Sequence, residues 1–134
     1  MKSTIANAGH YMSRLTAFVA DNLRAETLFV LSGMPETGKL PGPYASALRD
    51  AQSERKERYL TGEGRNAAPH APMYVVFSYG TPIAWVTIAG SVVIPDVRYS
   101  ATTSRHQKLA REALSTIAPE HLRAMQASND YVTP

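Results

Sequence analysis

Hydrophobic positions in this chain fall into stretches with different spacings, and the spacings predict the elements. In residues 7–23, Tyr11, Met12, Leu15, Phe18, Val19 and Leu23 recur three and four apart, the stripe of an amphipathic helix, with Arg14, Asp21 and Asn22 off it. A hairpin turning at Asp21-Asn22, with Leu15, Ala17 and Val19 alternating, is the competing reading; the first half favours a helix. Residues 27–31 (TLFVL) read as a buried strand ended by Ser32-Gly33. Glycine and proline then dominate residues 33–43, which predicts a loop.

Pro43 suits the first turn of a helix, where its missing N–H costs nothing. That helix runs to Leu60 with Tyr44, Leu48, Ala51 and Tyr59 on one side. Arg49, Asp50, Glu54, Arg55, Lys56, Glu57 and Arg58 form its charged face, and Glu54 and Arg58 have the favourable i, i+4 spacing. Residues 61–72 (TGEGRNAAPHAP) are expected to form a flexible loop.

The pattern changes at residue 73. Residues 73–79 and 82–88 are β-rich runs separated by a tight turn at Gly80-Thr81. Ala89-Gly90-Ser91 leads into Val92-Val93-Ile94, and Pro95-Asp96 breaks the chain before a strand at residues 97–101. Ser104 and Gln107 have capping-box spacing, so a helix is expected to open at Ser104, with Leu109, Ala110, Ala113, Leu114 and Ile117 inward. Pro119 opens a last short helix to Ala127, with Leu122 and Met125 inward, and residues 128–134 are a C-terminal tail. The sum is an α+β fold in a single domain, 1–134. A small antiparallel meander of three to five strands carries three or four helices, packed mainly on one face.

Composition narrows the class. The chain has 134 residues, 44% of them hydrophobic and 19% charged, which suits one compact soluble domain rather than a disordered chain. There is no cysteine, which excludes disulfides and thiolate metal sites and points to a reducing compartment. No apolar run approaches the ~20 residues of a membrane span and no signal-peptide core follows Lys2, so the expected location is the cytoplasm. A net charge of +3 is compatible with an acidic partner without demanding one.

Most motifs dissolve on inspection. Residues 33–39 (GMPETGK) match a phosphate-loop pattern, but Leu40 replaces the Mg²⁺-binding hydroxyl and Pro41-Gly42-Pro43 interrupts the helix that would follow. His10, His70, His106 and His121 lack metal-ligand spacing, so no metal and no cofactor is expected. Ser104 and His106, two apart on a helix, do not face each other, so no catalytic pair is assigned. The helix pair around Pro119 lacks the base-reading side chains of a recognition helix. Residues 102–107 (TTSRHQ) keep a functional reading. A helix N-terminus offers free N–H groups to an anion, and Thr102, Thr103, Arg105 and His106 add donors. Capping alone also accounts for Ser104 and Gln107. Phe77 and Trp85 suit the core, whereas Tyr79 and Tyr99 are open to contact with a partner.

Residues 78–85 (SYGTPIAW), 93–100 (VIPDVRYS) and 102–107 (TTSRHQ) together resemble a family of small proteins of unknown function, encoded mainly by actinobacterial phages and related mobile elements. Residues 18–26 (FVADNLRAE) and 38–41 (GKLP) are similar more loosely, and the apolar VTIAGS at 86–91 departs from the pattern. The resemblance carries no chemistry, but it implies a binding role. The expected function is a phage-encoded accessory binding protein. It would hold an anionic partner, nucleic acid first and an acidic host or phage protein second, through Tyr79, Tyr99, Thr102, Thr103, Arg105 and His106. The alternatives are a protein–protein module without anion chemistry and a hydrolase or nuclease using His106.

Overall fold

The computed structural model describes residues 5–64 and 67–128. In chain order the elements are α1 (Ile5–Ser13), β1 (Phe18–Ala20), β2 (Leu23–Thr27), α2 (Gly42–Leu60), β3 (Pro72–Ser78), β4 (Thr81–Thr87), β5 (Val92–Val93), α3 (Ala101–Leu114) and α4 (Pro119–Ser128). The strands form one antiparallel sheet in the order β1-β2-β3-β4-β5, so the fold is α+β with a five-stranded meander.

Both central strands are buried along their whole length. Ala25, Tyr74, Val76, Ala84 and Val86 belong to one core cluster with Met12 of α1 and Ala110, Ala113 and Leu114 of α3, against which Leu122 and Met125 of α4 also pack. Leu28, Val75, Phe77 and Trp85 form a second cluster with Ala45 and Leu48 of α2. Helices therefore cover the sheet on both sides, three on one and α2 on the other. A sheet covered twice needs no polar face, which is why β3 reads as an unbroken apolar run.

Several sequence expectations are corrected. The stripe over residues 7–23 divides, and its second half adopts the hairpin, with Ala20 paired to Leu23 across Asp21-Asn22. The helix stops because Leu15 turns left-handed (φ 54°), letting the N–H groups of Leu15 and Thr16 bond the carbonyls of Met12 and Tyr11 at 3.0 and 2.9 Å. No glycine signals this stop, so spacing alone overran it.

The strand expected at 27–31 lies earlier, as β2. Beyond Thr27 the Leu28 N–H still donates to the Met73 carbonyl at 3.0 Å, but the carbonyls turn to α2: Arg55 Nη1 donates to the Leu28 carbonyl at 3.0 Å, and Gln52 Nε2 donates to those of Phe29 and Ser32 at 3.1 Å each. Gln52 and Arg55 are accordingly buried beside Ala45 and Leu48, and Arg55 moves from the expected charged face to the inner one. Burial pulls its guanidinium down to about 10.

The β3–β4 turn is Tyr79-Gly80 rather than Gly80-Thr81, since Ser78 pairs with Thr81. Residues 97–100 form no strand, and Ala101 already belongs to α3. Within the loop expected over 61–72, Ala68 and Ala71 are core residues and Pro72 opens β3, while residues 65 and 66 lie outside the described residues. Of the expected tail, residues 129–134 also lie outside them, and Ser128 closes α4.

Candidate functional site

One end of the sheet gathers four pieces of chain. The β1–β2 and β3–β4 turns lie side by side there, with the Tyr79 N–H donating to the Asn22 carbonyl at 2.8 Å. The loop after β2 docks on β4 through the Lys39 N–H, which donates to Thr81 Oγ1 at 2.8 Å. This approach needs Gly38, whose φ is +47° and where a side chain would strike Thr81 and the Gly80 carbonyl. The fourth piece is the start of α3. Its N-cap is Ser100, whose Oγ accepts from the Thr103 N–H at 3.2 Å. The capping box expected at Ser104 is thus corrected. Gln107 Nε2 instead donates to the Val97 carbonyl at 2.9 Å, fastening the residues that lead into the helix.

Between these pieces lies a cleft of about 370 Å³, lined by Lys39, by Ser78 and Tyr79 of the hairpin, and by Tyr99, Ser100, Thr102 and Thr103 at the start of α3. Tyr79, Tyr99, Thr102 and Thr103 are the expected residues that meet in it. His106 lies one helical turn beyond Thr103, 7% exposed, and reaches the cleft through Ser78. Arg105 is not part of the lining: it is exposed, and its Nη2 donates to Thr102 Oγ1 at 3.3 Å. Arg105 and His106 therefore diverge, and the cation at the cleft is Lys39.

Side-chain hydroxyls behind the cleft form a directed chain. Ser100 Oγ donates to Thr103 Oγ1 at 3.2 Å, Thr103 Oγ1 lies 3.1 Å from Ser78 Oγ, and Ser78 Oγ lies 2.7 Å from His106 Nδ1. With Thr103 accepting from Ser100, its own proton is free for Ser78, and the Ser78 proton for His106 Nδ1. Burial, and secondly the Arg105 charge, lower the His106 pKa below its ordinary value, which favours the neutral imidazole this ordering requires. Tyr79 stacks on the ring, with centroids 6.4 Å apart. The Tyr99 hydroxyl is enclosed and has no hydrogen-bond partner among the described residues, and burial raises its pKa, so it remains a donor.

Sequence reasoning gave Ser78, Ser100 and Lys39 no place in the binding site. Ser78 was legible in outline, being two and four residues from Val76 and Tyr74 on the strand face that meets α3. Lys39 sits in the discarded phosphate-loop pattern, and only the docking of its loop on Thr81 brings it here.

Taken together, these features define an α+β protein with a cleft lined by hydroxyl-bearing residues at the end of its sheet, of the size that takes a small molecule or one end of a larger one. Residues 10–120 match the model of a family of unknown function, DUF8033, and the chain belongs to that family. No curated protein and no solved structure matches the chain. Among the described residues no helix is long and apolar enough to cross a membrane, and no cluster of three or more His, Asp or Glu residues could hold a metal.

Proposed function

We propose that the protein binds an anionic partner through this cleft, and that single-stranded nucleic acid is the first candidate. The observation that carries the reading is Tyr79. It is 55% exposed at the mouth of the cleft and held at φ 51°, although a two-residue turn of this kind favours Asn, Asp or Gly. A ring displayed at such a cost offers a stacking platform for a base. Lys39, the Thr102 hydroxyl and the N–H groups at the start of α3 that Ser100 leaves uncapped suit a phosphate beside it. Arg105, outside the lining, suits a neighbouring phosphate. The cleft is too small for a duplex and of a size for one nucleotide. On the strength of the sequence motifs, we place this activity in a phage or mobile-element accessory protein working in the host cytoplasm.

Fluorescence anisotropy of a labelled oligothymidylate across a salt series tests the reading. Affinity should fall steeply with salt, and Lys39→Ala should weaken binding and reduce the log–log salt slope by about 1. Absence of binding at low salt, or salt-independent binding, would contradict it. A stoichiometric acidic protein retained after nuclease treatment would shift the ligand to the protein class.

A further inference from the structure

We propose that the cleft takes up a proton together with its anion: His106 is protonated as the anion binds, and the hydroxyl chain reverses so that Ser100 turns its own proton into the cleft. The inference rests on the binding reading above and adds to it a dependence on pH.

Hydrogen-bond valence carries the argument. With His106 neutral the protons run inward: Ser100 to Thr103, Thr103 to Ser78, and Ser78 to His106 Nδ1, at 3.2, 3.1 and 2.7 Å. Ser100 Oγ also accepts from the Thr103 N–H at 3.2 Å, so in this state its proton is used inside the protein. A proton gained at Nδ1 makes that nitrogen a donor. Ser78 then accepts from His106 and donates to Thr103, and Thr103 accepts from Ser78 and donates to Ser100. The Thr103 hydroxyl and N–H now fill both lone pairs of Ser100, and the Ser100 proton is left over. One proton enters, no hydrogen bond is lost, and the released donor appears at the outer end of the chain. Ser100 is exposed and lines the cleft, whereas Thr103, Ser78 and His106 are buried and need not meet the ligand.

Charges around His106 set the condition for this reversal. Strands β3 and β4 carry no charged side chain, and Tyr74 of β3 donates its hydroxyl to the Thr16 carbonyl at 2.9 Å. Helix α1 brings His10, which is exposed, and Tyr11, which stacks on Phe18. The β3–β4 turn brings the Tyr79 ring, on whose other flank Asp21 and Glu36 line a separate recess with Arg24. Lys39 at the cleft is positive, as are Arg105 and the exposed Lys108 and Arg111 along α3. Burial first, and the Arg105 charge second, lower the His106 pKa in the empty protein. An anion beside Lys39 supplies the missing negative charge and accepts the released Ser100 proton. Anion and proton therefore favour each other's binding.

The test is fluorescence anisotropy with a labelled oligothymidylate lacking terminal phosphates, whose phosphodiesters keep one charge throughout, from about pH 8 to about pH 5 at fixed ionic strength. Affinity should rise as pH falls through the pKa of the bound form, by up to about tenfold per pH unit, and level off below that of the free form. The rise should vanish in His106→Gln, which cannot titrate, and in Thr103→Val, which keeps the side-chain shape but cuts the chain. An NMR titration of the natural protein gives a readout free of any variant: the His106 midpoint should move up by about one pH unit at saturating oligothymidylate. Affinity independent of pH, a rise that survives in either variant, or a His106 midpoint unmoved by the ligand overturns the proposal and leaves the binding reading standing. No binding at any pH removes both.

Discussion

Tyr79 separates stability from function at the scale of one residue. Left-handed backbone costs a bulky side chain on the order of 1 kcal/mol, and its neighbour Gly80 (φ 77°) already meets the same demand without cost. Tyr79→Asn would create the Asn-Gly pair that such turns favour. A melting temperature at or above that of the natural protein is expected, together with oligonucleotide binding about tenfold weaker from the lost stacking surface. A drop in melting temperature as large as the drop in binding would make Tyr79 a structural residue and contradict this account. Legibility also varied residue by residue. Thr103, His106, Gln107 and Ala110 are buried at spacings of three and four, so periodicity places His106 inward once the helix start is known. The same rule sends Arg105 outward. Grouping Arg105 with His106 as sequence neighbours ignored the 100° between successive helical positions.

At the scale of elements, the lengths of α2 and α4 and the pairing of β3 with β4 followed from apolar spacing, glycine and proline. The hairpin of β1 and β2 and the inner face of α2 did not. The left-handed turn at Leu15 decides the first, and polar groups decide the second. Gln52 and Arg55 occupy the inner face because the carbonyls of Leu28, Phe29 and Ser32, released from the sheet, need donors. No hydrophobic pattern announces a demand made by another segment. Arg55→Ala should therefore lower stability by roughly 3 kcal/mol in denaturant unfolding, through a buried cavity and a carbonyl left without its donor. Glu57→Ala, on the exposed side of the same helix, should change it by less than about 0.5 kcal/mol. Equal small effects from both substitutions would mean that Arg55 is not the anchor of this segment.

For the molecule as a whole, the fold class was legible and the assembly of the site was only half so. An antiparallel meander places alternate turns at one end of the sheet, and here those turns meet the start of α3. That convergence brings Ser78, Tyr79 and Tyr99 together with Thr102 and Thr103 across a gap of some twenty residues, and it draws in Lys39 from a loop with no pattern of its own. Short-range motifs captured the α3 side of the cleft because it is contiguous in the chain. The opposite wall depends on pairing and docking over longer range.

On the binding reading, this end of the sheet is where the protein meets its partner. Amide chemical shifts recorded by NMR while a short oligothymidylate is added at low salt locate the contact residue by residue. Perturbations are expected at residues 38–39, 78–81 and 99–103. No perturbation, or changes confined to the outer α3 residues Arg105, Lys108 and Arg111 or to the groove beside Tyr44, Trp85 and Val93, would contradict it.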